Sequence, residues 1–373
     1  MLTPEYLQGL PDVMLELYAQ AEGRILADMA RRLAAYNCWI PAAEHQKRIL
    51  QAAGRSQEEI LTELSAISGK ATSELRRMMQ EAGETTLRSD AAVYTAAGLT
   101  PPKIETSAAL KRILNAGYRS TLGTMQNLTQ TTAKTGSRQF ERALDRVWLE
   151  VHSGGMDLNS ALRGALRELS AQGVQSIRYP SGRCDSLEVA VRRAAVTGVN
   201  QTALQLQDAL AEEVGCDLVE TTAHAGARPE HALWQGKIFS RSGKSDQYPS
   251  LREGAGYGTG AGLGGWNCRH SFHPYIEGSP RVYTDQQLRE LNAPKYEYGG
   301  KKLTEYEATQ LQRYHERQIR RWERECVALE AAGLDASEAE GKLAVWRGRQ
   351  ENFLEKTGLK RQLDRERVFT NKS

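Results

Sequence analysis

The sequence contains few cysteines, and no two of them are spaced as a Cys-x-x-Cys motif. The five cysteines are odd in number and widely separated: Cys38, Cys184, Cys216, Cys268 and Cys326. Such usage argues against a disulfide framework, which secreted domains use to stabilise small cores, and favours a reducing compartment.

Long apolar runs are missing as well. No stretch approaches the roughly 18 continuous apolar residues of a membrane-spanning helix, so we expect no membrane partner. The first residues lack a basic segment followed by an apolar run, so we predict no secretory signal. The net charge is only +3 over 373 residues, which does not indicate nucleic-acid binding by the whole molecule.

The composition favours helices. Hydrophobic residues are 40% and charged residues 25%, as in ordinary globular proteins, while aromatic residues are only 7%. Three- and four-residue apolar steps predict helices at about 3–35, 44–81, 106–130, 137–151, 157–171, 187–215, 303–332 and 337–356. We expect breaks at Gly54 and at the Ser68-Gly69 pair to divide the second of these stretches. Short β-like runs at 217–222 and 237–240 lie among glycines and prolines. We therefore predict a mainly α protein with long helical N-terminal and C-terminal regions around a small glycine-rich α+β unit.

The same pattern divides the chain into four consecutive regions. They are a helical N-terminal arm (1–100), a second helical region (101–215), the small α+β unit (216–283) and a helical C-terminal region with a basic tail (284–373). The first boundary follows the Thr100-Pro101-Pro102 break, because proline removes a backbone donor and restricts the residue before it.

Histidines concentrate in the α+β unit. Four of the seven lie between residues 224 and 273, and Cys268 lies among them. Cys268 and His270 are two apart, so on a strand they share one face. A first hypothesis is therefore a structural zinc site, in which His224 or His231 completes a tetrahedral set. The predicted metal ligands are His224, His231, Cys268 and His270.

A second hypothesis is acid–base cleavage of a phosphodiester. Two imidazoles would act as base and acid, and a guanidinium would stabilise the charged transition state. The candidates are His224, Arg228, His231, Arg269, His270 and His273. No Gly-x-Ser-x-Gly or His-Glu-x-x-His motif accompanies them, so no established catalytic motif supports an enzyme.

A third hypothesis, which we favour, is structural and requires no cofactor. Histidine and arginine side chains would bind loop carbonyls in a region with little regular structure, because buried backbone groups need partners. Pro229 is well placed to start a short helix that fixes His231. The cluster would then hold the glycine-rich loop against residues 224–236.

Glycine dominates the loop between the β-like runs and Cys268. Seven of the twelve residues from Gly254 to Gly265 are glycine. Gly260, Gly262 and Gly265 fit the Gly-x-Gly-x-x-Gly pattern, but no apolar strand precedes them and no helical pattern follows, so we do not predict a nucleotide site. Glycines that let backbone segments cross closely, or that allow a mobile loop, explain the run better.

Positive charge concentrates at the C-terminus. Residues 341–373 hold nine Lys or Arg against four Asp or Glu, a surplus of +5. One hypothesis is that this basic tail contacts DNA. We favour the other, that the charges belong to a solvated helical face. The candidate DNA contacts are Arg347, Arg349, Lys356, Lys360 and Arg361.

Three stretches of the sequence carry distinctive motifs. The first runs from His224 through Gly226-Ala227-Arg228-Pro229 and His231 to Trp234-Gln235-Gly236-Lys237; the second from Gly256-Tyr257-Gly258 to Asn267-Cys268-Arg269-His270; the third from Tyr306 to Arg320, continued by Ala332-Gly333-Leu334-Asp335 and Lys342. Together they resemble the phage minor capsid protein 2 family, over about residues 220–370.

The resemblance implies a minor structural protein in the virion of a tailed phage or prophage. It implies a role in head assembly at or near the portal, inside the host cytoplasm, with the portal and other head proteins as partners. Packaged DNA would be a further partner through the basic tail. The alternative is a virion-associated nuclease that uses the histidine and cysteine cluster.

Overall fold

The computed structural model describes residues 2–368, and helices account for most of them. The helices are α1 (Pro4–Gly9), α2 (Asp12–Ala34), α3 (Ala42–Ala96), α4 (Ala108–His152), α5 (Leu158–Gln172), α6 (Leu187–Glu213), α7 (Pro229–Ala232), α8 (Leu251–Ala255), α9 (Asp285–Asn292), α10 (Glu305–Ala331) and α11 (Ser337–Thr357), with a 3₁₀ turn at Leu363–Arg365. The predicted mainly α class is confirmed. Of the predicted C-terminal region, residues 369–373 lie outside the described residues.

The described residues also form small antiparallel sheets. The strands are β1 (Gln175–Arg178), β2 (Cys184–Ser186), β3 (Leu218–Thr221), β4 (Ile238–Ser240), β5 (Phe272–Pro274), β6 (Tyr296–Tyr298) and β7 (Lys301–Leu303). β1 pairs with β2 and β6 with β7, while β3 lies between β4 and β5. Val219 of β3 faces Phe239 on one side and Pro274 on the other. The two predicted β-like runs are β3 and β4; β5 and the hairpins are too short to show a period.

Helices α3 and α4 are longer than the sequence pattern predicts. Predicted breaks at Gly54, at Gly69 and between residues 130 and 137 are wrong, because each helix continues through them. A single glycine inside a helix costs only about 1 kcal/mol relative to alanine. Buried side chains on both sides of Gly69, such as Leu64 and Leu75, continue one apolar stripe and offset that cost.

The described chain divides into two compact units, each assembled from separated segments. The first unit comprises the residues up to Val13, Thr72–Thr124 and Arg192–Gln310. The second comprises Met14–Ala71, Met125–Val191 and the residues from Leu311 onward. The four consecutive regions inferred from the sequence describe the order of elements along the chain and stay a prediction.

One hydrophobic core of the first unit lies around the three-stranded sheet. Its residues come from α6, all three strands, the turn after α7, α8, the glycine-rich loop and the segment before β5: Leu204, Val219, Trp234, Phe239, Leu251, Ala255, Leu263, Cys268 and Phe272. Because Cys268 belongs to this core, the histidine-rich segment is packed inside the unit rather than displayed on its surface.

The second unit contains a buried ion cluster. Glu22 of α2 is 1% exposed and forms ion pairs with Arg320 and Arg324 of α10, at 3.2 and 3.0 Å. Arg320 also pairs with Glu188. The backbone N–H of Val174 donates a hydrogen bond to Glu22 Oε1 at 3.1 Å. Burial alone would raise the pKa of Glu22, but the two arginines outweigh it and hold the pKa below its usual value.

Candidate functional site

Two segments of the first unit bring the predicted site residues together. His231 lies on α7, where Pro229 occupies the first turn as predicted. Cys268 and His270 precede β5 on a segment that is neither helix nor strand. The side chain of Asn200 on α6 donates hydrogen bonds to the carbonyls of both Cys268 and His270, each at 3.0 Å. Asn200 therefore fixes the backbone that carries two of the site side chains.

Three side chains converge on one point inside the unit. Cys268 Sγ lies 3.7 Å from His231 Nδ1 and 3.7 Å from His270 Nδ1. The two Nδ1 atoms lie 3.4 Å apart. The residues are 1% (Cys268), 3% (His231) and 1% (His270) exposed, so the group is nearly sealed from solvent.

The hydrogen bond at Nε2 of each ring shows which of its two nitrogens carries the hydrogen. His231 Nε2 lies 2.8 Å from the Ala261 carbonyl, which can only accept, so Nε2 must carry the hydrogen. His270 Nε2 lies 3.1 Å from Gln235 Oε1. The backbone N–H of His224 donates to the same Oε1 at 3.1 Å, which identifies that atom as the amide oxygen. In the neutral rings both Nδ1 atoms are therefore unprotonated acceptors.

Burial keeps these histidines neutral at ordinary pH. Desolvation, aided by the nearby Arg269, lowers the pKa of His224 to about 4. Desolvation also lowers the pKa of His231, and it holds the pKa of His270 well below its usual value. The pKa of the Cys268 thiol is raised by burial.

Of the remaining predicted histidines, His224 lies beside the group and His273 contacts other residues. His224 Nδ1 lies 2.7 Å from the Ala225 carbonyl, and its ring centroid is 4.5 Å from that of His270. His273 lies on β5 with Nδ1 3.2 Å from the Pro274 carbonyl and Nε2 3.8 Å from a Glu220 carboxylate oxygen. The structure thus brings three of the four predicted metal ligands together and places His224 against one of them.

The two predicted arginines connect surrounding segments. Arg228 donates a hydrogen bond to the Trp266 carbonyl, and Arg269 donates one to the side chain of Gln8. Acid–base cleavage needs two histidines and an arginine converging on an open cleft. Here the histidines are buried and contact carbonyl or amide oxygens, which is the arrangement that the structural hypothesis predicts.

The glycine-rich loop folds back on itself. Leu263 N–H donates to the Ala255 carbonyl at 2.9 Å, and Trp266 N–H donates to the Gly260 carbonyl at 2.8 Å. A methyl group at Gly262 would overlap the carbonyl of Gly256. Glycine is therefore needed here because backbone segments touch, as the sequence pattern predicts.

The candidate DNA contacts lie in the second unit, on and just after α11. All five are exposed: Arg347, Arg349, Lys356, Lys360 and Arg361. Arg347 pairs with Glu323 at 3.1 Å, and Arg361 pairs with Glu366 at 2.7 Å. These ion pairs reduce the positive charge that the tail offers to a polyanion.

Two polar side chains of the site were not predicted from the sequence. Gln235 and Asn200 position the histidines and their backbone, but amides occur throughout the chain and carry no distinctive spacing. Gln235 follows His231 by four residues on or just beyond α7, which is the helical spacing that could have identified it.

The described residues form a mainly α protein in which His231, Cys268 and His270 make a buried group. No helix within residues 2–368 is both long and apolar enough to cross a membrane. The sequence matches the family described as "Phage minor capsid protein 2" over residues 2–355. The chain belongs to this family of phage structural proteins.

Two curated relatives agree with that assignment. A "Structural protein" of Lactococcus phage LL-H is 30% identical over 196 residues, which is 50% of this chain and 50% of the relative. A "Structural protein" of Lactococcus phage mv4 is 34% identical over 125 residues, covering 33% of this chain and 93% of the relative. The chain thus spans half the length of the LL-H protein. No solved structure matches the chain.

Proposed function

We propose that the protein assembles into the phage head at or near the portal vertex, within the host cytoplasm, and remains in the virion. The observation that carries this proposal is the family match across residues 2–355. The portal and other head proteins would be its partners. The burial of His231, Cys268 and His270 favours this role over the nuclease alternative, because a buried cluster does not meet a phosphodiester.

Large apolar side chains on the surface support an assembly role. Trp39 of the second unit is 71% exposed, and Leu233 and Trp266 of the first unit are 72% and 63% exposed. Single exposed apolar residues are ordinary, but exposed tryptophans are enriched where proteins bind one another. We therefore infer that Trp39 and Trp266 contact partner proteins in the assembled head.

The test is cross-linking mass spectrometry on purified proheads and virions. We expect the chain in both particles, with cross-links to the portal protein from both units. Trp39→Ala and Trp266→Ala should reduce its incorporation, whereas Val345→Ala, at a site that is also half-exposed, should leave incorporation unchanged. Absence of the chain from both particles, or cross-links to tail proteins alone, would overturn the proposal.

A further inference from the structure

We propose that His231, Cys268 and His270 bind a zinc ion that ties the glycine-rich loop and α7 to the segment before β5. The assignment adds a metal site to the structural role and stands independently of where in the particle the protein lies. Three observations carry it: the spacing of the three donor atoms, the state of the two imidazoles, and the partners on the far side of each ring.

The spacing of the donor atoms is that of one face of a zinc tetrahedron. Zinc bonds of about 2.3 Å to sulfur and about 2.0–2.1 Å to imidazole nitrogen place tetrahedral S and N ligands about 3.6 Å apart and two N ligands about 3.4 Å apart. The observed separations are 3.7 Å for both S···N pairs and 3.4 Å for the N···N pair. A metal ion can therefore contact all three donor atoms without rearrangement of the segments that carry them.

The three metal-donor atoms cannot all be satisfied by hydrogen bonds to one another. Both Nδ1 atoms are acceptors, because both Nε2 atoms carry the hydrogen that faces Ala261 or Gln235. The Cys268 thiol has a single hydrogen and can donate to only one of them. The other Nδ1 is left facing a second lone pair in a buried site, which is costly. A divalent cation bound to the thiolate and both nitrogens removes this conflict.

The partners on the far side of each ring resemble those of zinc ligands. Metal-bound histidines almost always donate their other N–H to a carboxylate, a backbone carbonyl or a water molecule, which fixes the ring orientation. His231 uses the Ala261 carbonyl, within the glycine-rich loop, and His270 uses Gln235. Through His231 the metal would therefore hold the loop as well as α7.

The donor set selects the metal. Two neutral imidazoles and one thiolate in a tetrahedral arrangement suit zinc, while oxygen-binding cations such as Mg²⁺ or Ca²⁺ do not favour sulfur. Water would occupy the fourth coordination position, because His224 packs against His270 and its Nδ1 hydrogen-bonds to the Ala225 carbonyl. The near-complete burial of the three ligands makes the ion a cross-link between segments.

The experiment measures metal in the full-length protein purified without a polyhistidine tag. Elemental analysis should find one zinc ion per chain. Cys268→Ala and His270→Ala should lose most of it, while Cys216→Ala and His273→Ala, which remove a buried cysteine and a buried histidine outside the group, should retain it. Retention of zinc by Cys268→Ala, or loss only in the control variants, would overturn the assignment.

A second measurement does not depend on whether the variants fold. Bound metal is removed from the wild-type protein with a chelator and replaced by Co²⁺. The visible absorption spectrum of Co²⁺ depends on its ligands and their geometry. We expect the intense visible bands of tetrahedral cobalt and a near-ultraviolet sulfur-to-cobalt charge-transfer band. A wild-type protein that contains no zinc and gives only the weak spectrum of hydrated Co²⁺ would contradict the site.

Discussion

The two units each bury a polar cluster, but they complete it by different means. In the second unit Glu22 meets Arg320 and Arg324, so the chain itself supplies both signs of charge. In the first unit His231 and His270 present lone pairs to each other and to a single thiol. The chain supplies both signs of charge to the Glu22 cluster, whereas the group of His231, Cys268 and His270 has one thiol hydrogen for two nitrogen lone pairs and is where we propose that zinc binds.

The largest effect is expected from breaking the Glu22 cluster. Glu22→Gln keeps the shape of the side chain but removes the buried counter-charge of Arg324 and leaves Arg320 with Glu188 alone. Removing one member of a buried ion pair typically costs about 3–5 kcal/mol, so denaturant unfolding should show a loss in this range. Asp28→Asn, which removes a partly exposed partner of Arg32, is the control and should cost under about 1 kcal/mol. Equal losses in the two variants would show that burial adds nothing to the Glu22 cluster.

Breaking the group of His231, Cys268 and His270 should have a smaller effect that depends on the metal. Cys268→Ala should cost about 1–3 kcal/mol from lost buried contacts, and more where bound metal is lost. A chelator should lower the melting temperature of the wild type and make residues 240–265 more accessible to protease. It should not lower the melting temperature of Cys268→Ala further, because that variant has no metal to lose.

The control for this prediction lies in the same unit. Cys216→Ala removes another buried thiol, and chelator should lower its melting temperature as much as that of the wild type. If neither chelator nor Cys268→Ala changes melting or cleavage at 240–265, the cluster does not hold the loop.

A comparable cost is expected from the backbone of the glycine-rich loop. Gly262→Ala would place a methyl group against the Gly256 carbonyl, and overpacking of this kind costs about 1–3 kcal/mol. Gly123→Ala in α4 adds a methyl group in open space and should stabilise the protein by about 0.4–1 kcal/mol. Thermal melting of the two variants checks the prediction, and a neutral Gly262→Ala would mean that the loop relaxes freely.

The smallest effect concerns the basic tail of the second unit. We expect Arg349→Ala with Lys360→Ala to weaken retention on duplex DNA at low salt, because each lost phosphate contact lowers affinity and reduces the salt dependence. Arg347→Ala should weaken it less, since Arg347 already pairs with Glu323. The measurement is binding to duplex DNA across a salt series, because a heparin column would not distinguish the double variant from Arg347→Ala. Unchanged retention in the double variant would mean that these charges only solvate the surface of the helix.

Local signals predicted much of the fold and some of the site. Apolar periodicity located the long helices, and Pro229 marked the start of α7. The two-residue spacing of Cys268 and His270, together with the other histidines between residues 224 and 273, indicated that these side chains form a cluster. Their approach to His231 is consistent with that expectation.

Long-range partners could not be predicted. Glu22 and Arg320 are separated by 298 residues, and nothing in either segment signals that they meet. The continuity of α3 through Gly69 depends on apolar packing that local propensity does not include. β5 has three residues, too few to display an alternating pattern, and its pairing with β3 comes from the tertiary fold.

The proposal that His231, Cys268 and His270 bind zinc is tested most directly by X-ray absorption at the zinc edge of the full-length protein. The account predicts one sulfur at about 2.3 Å and imidazole nitrogens at about 2.0–2.1 Å from the metal. Because Cys268 is the one thiol in the cluster, a single sulfur would identify the site. A protein without zinc, or a zinc shell of nitrogen and oxygen alone, would contradict it.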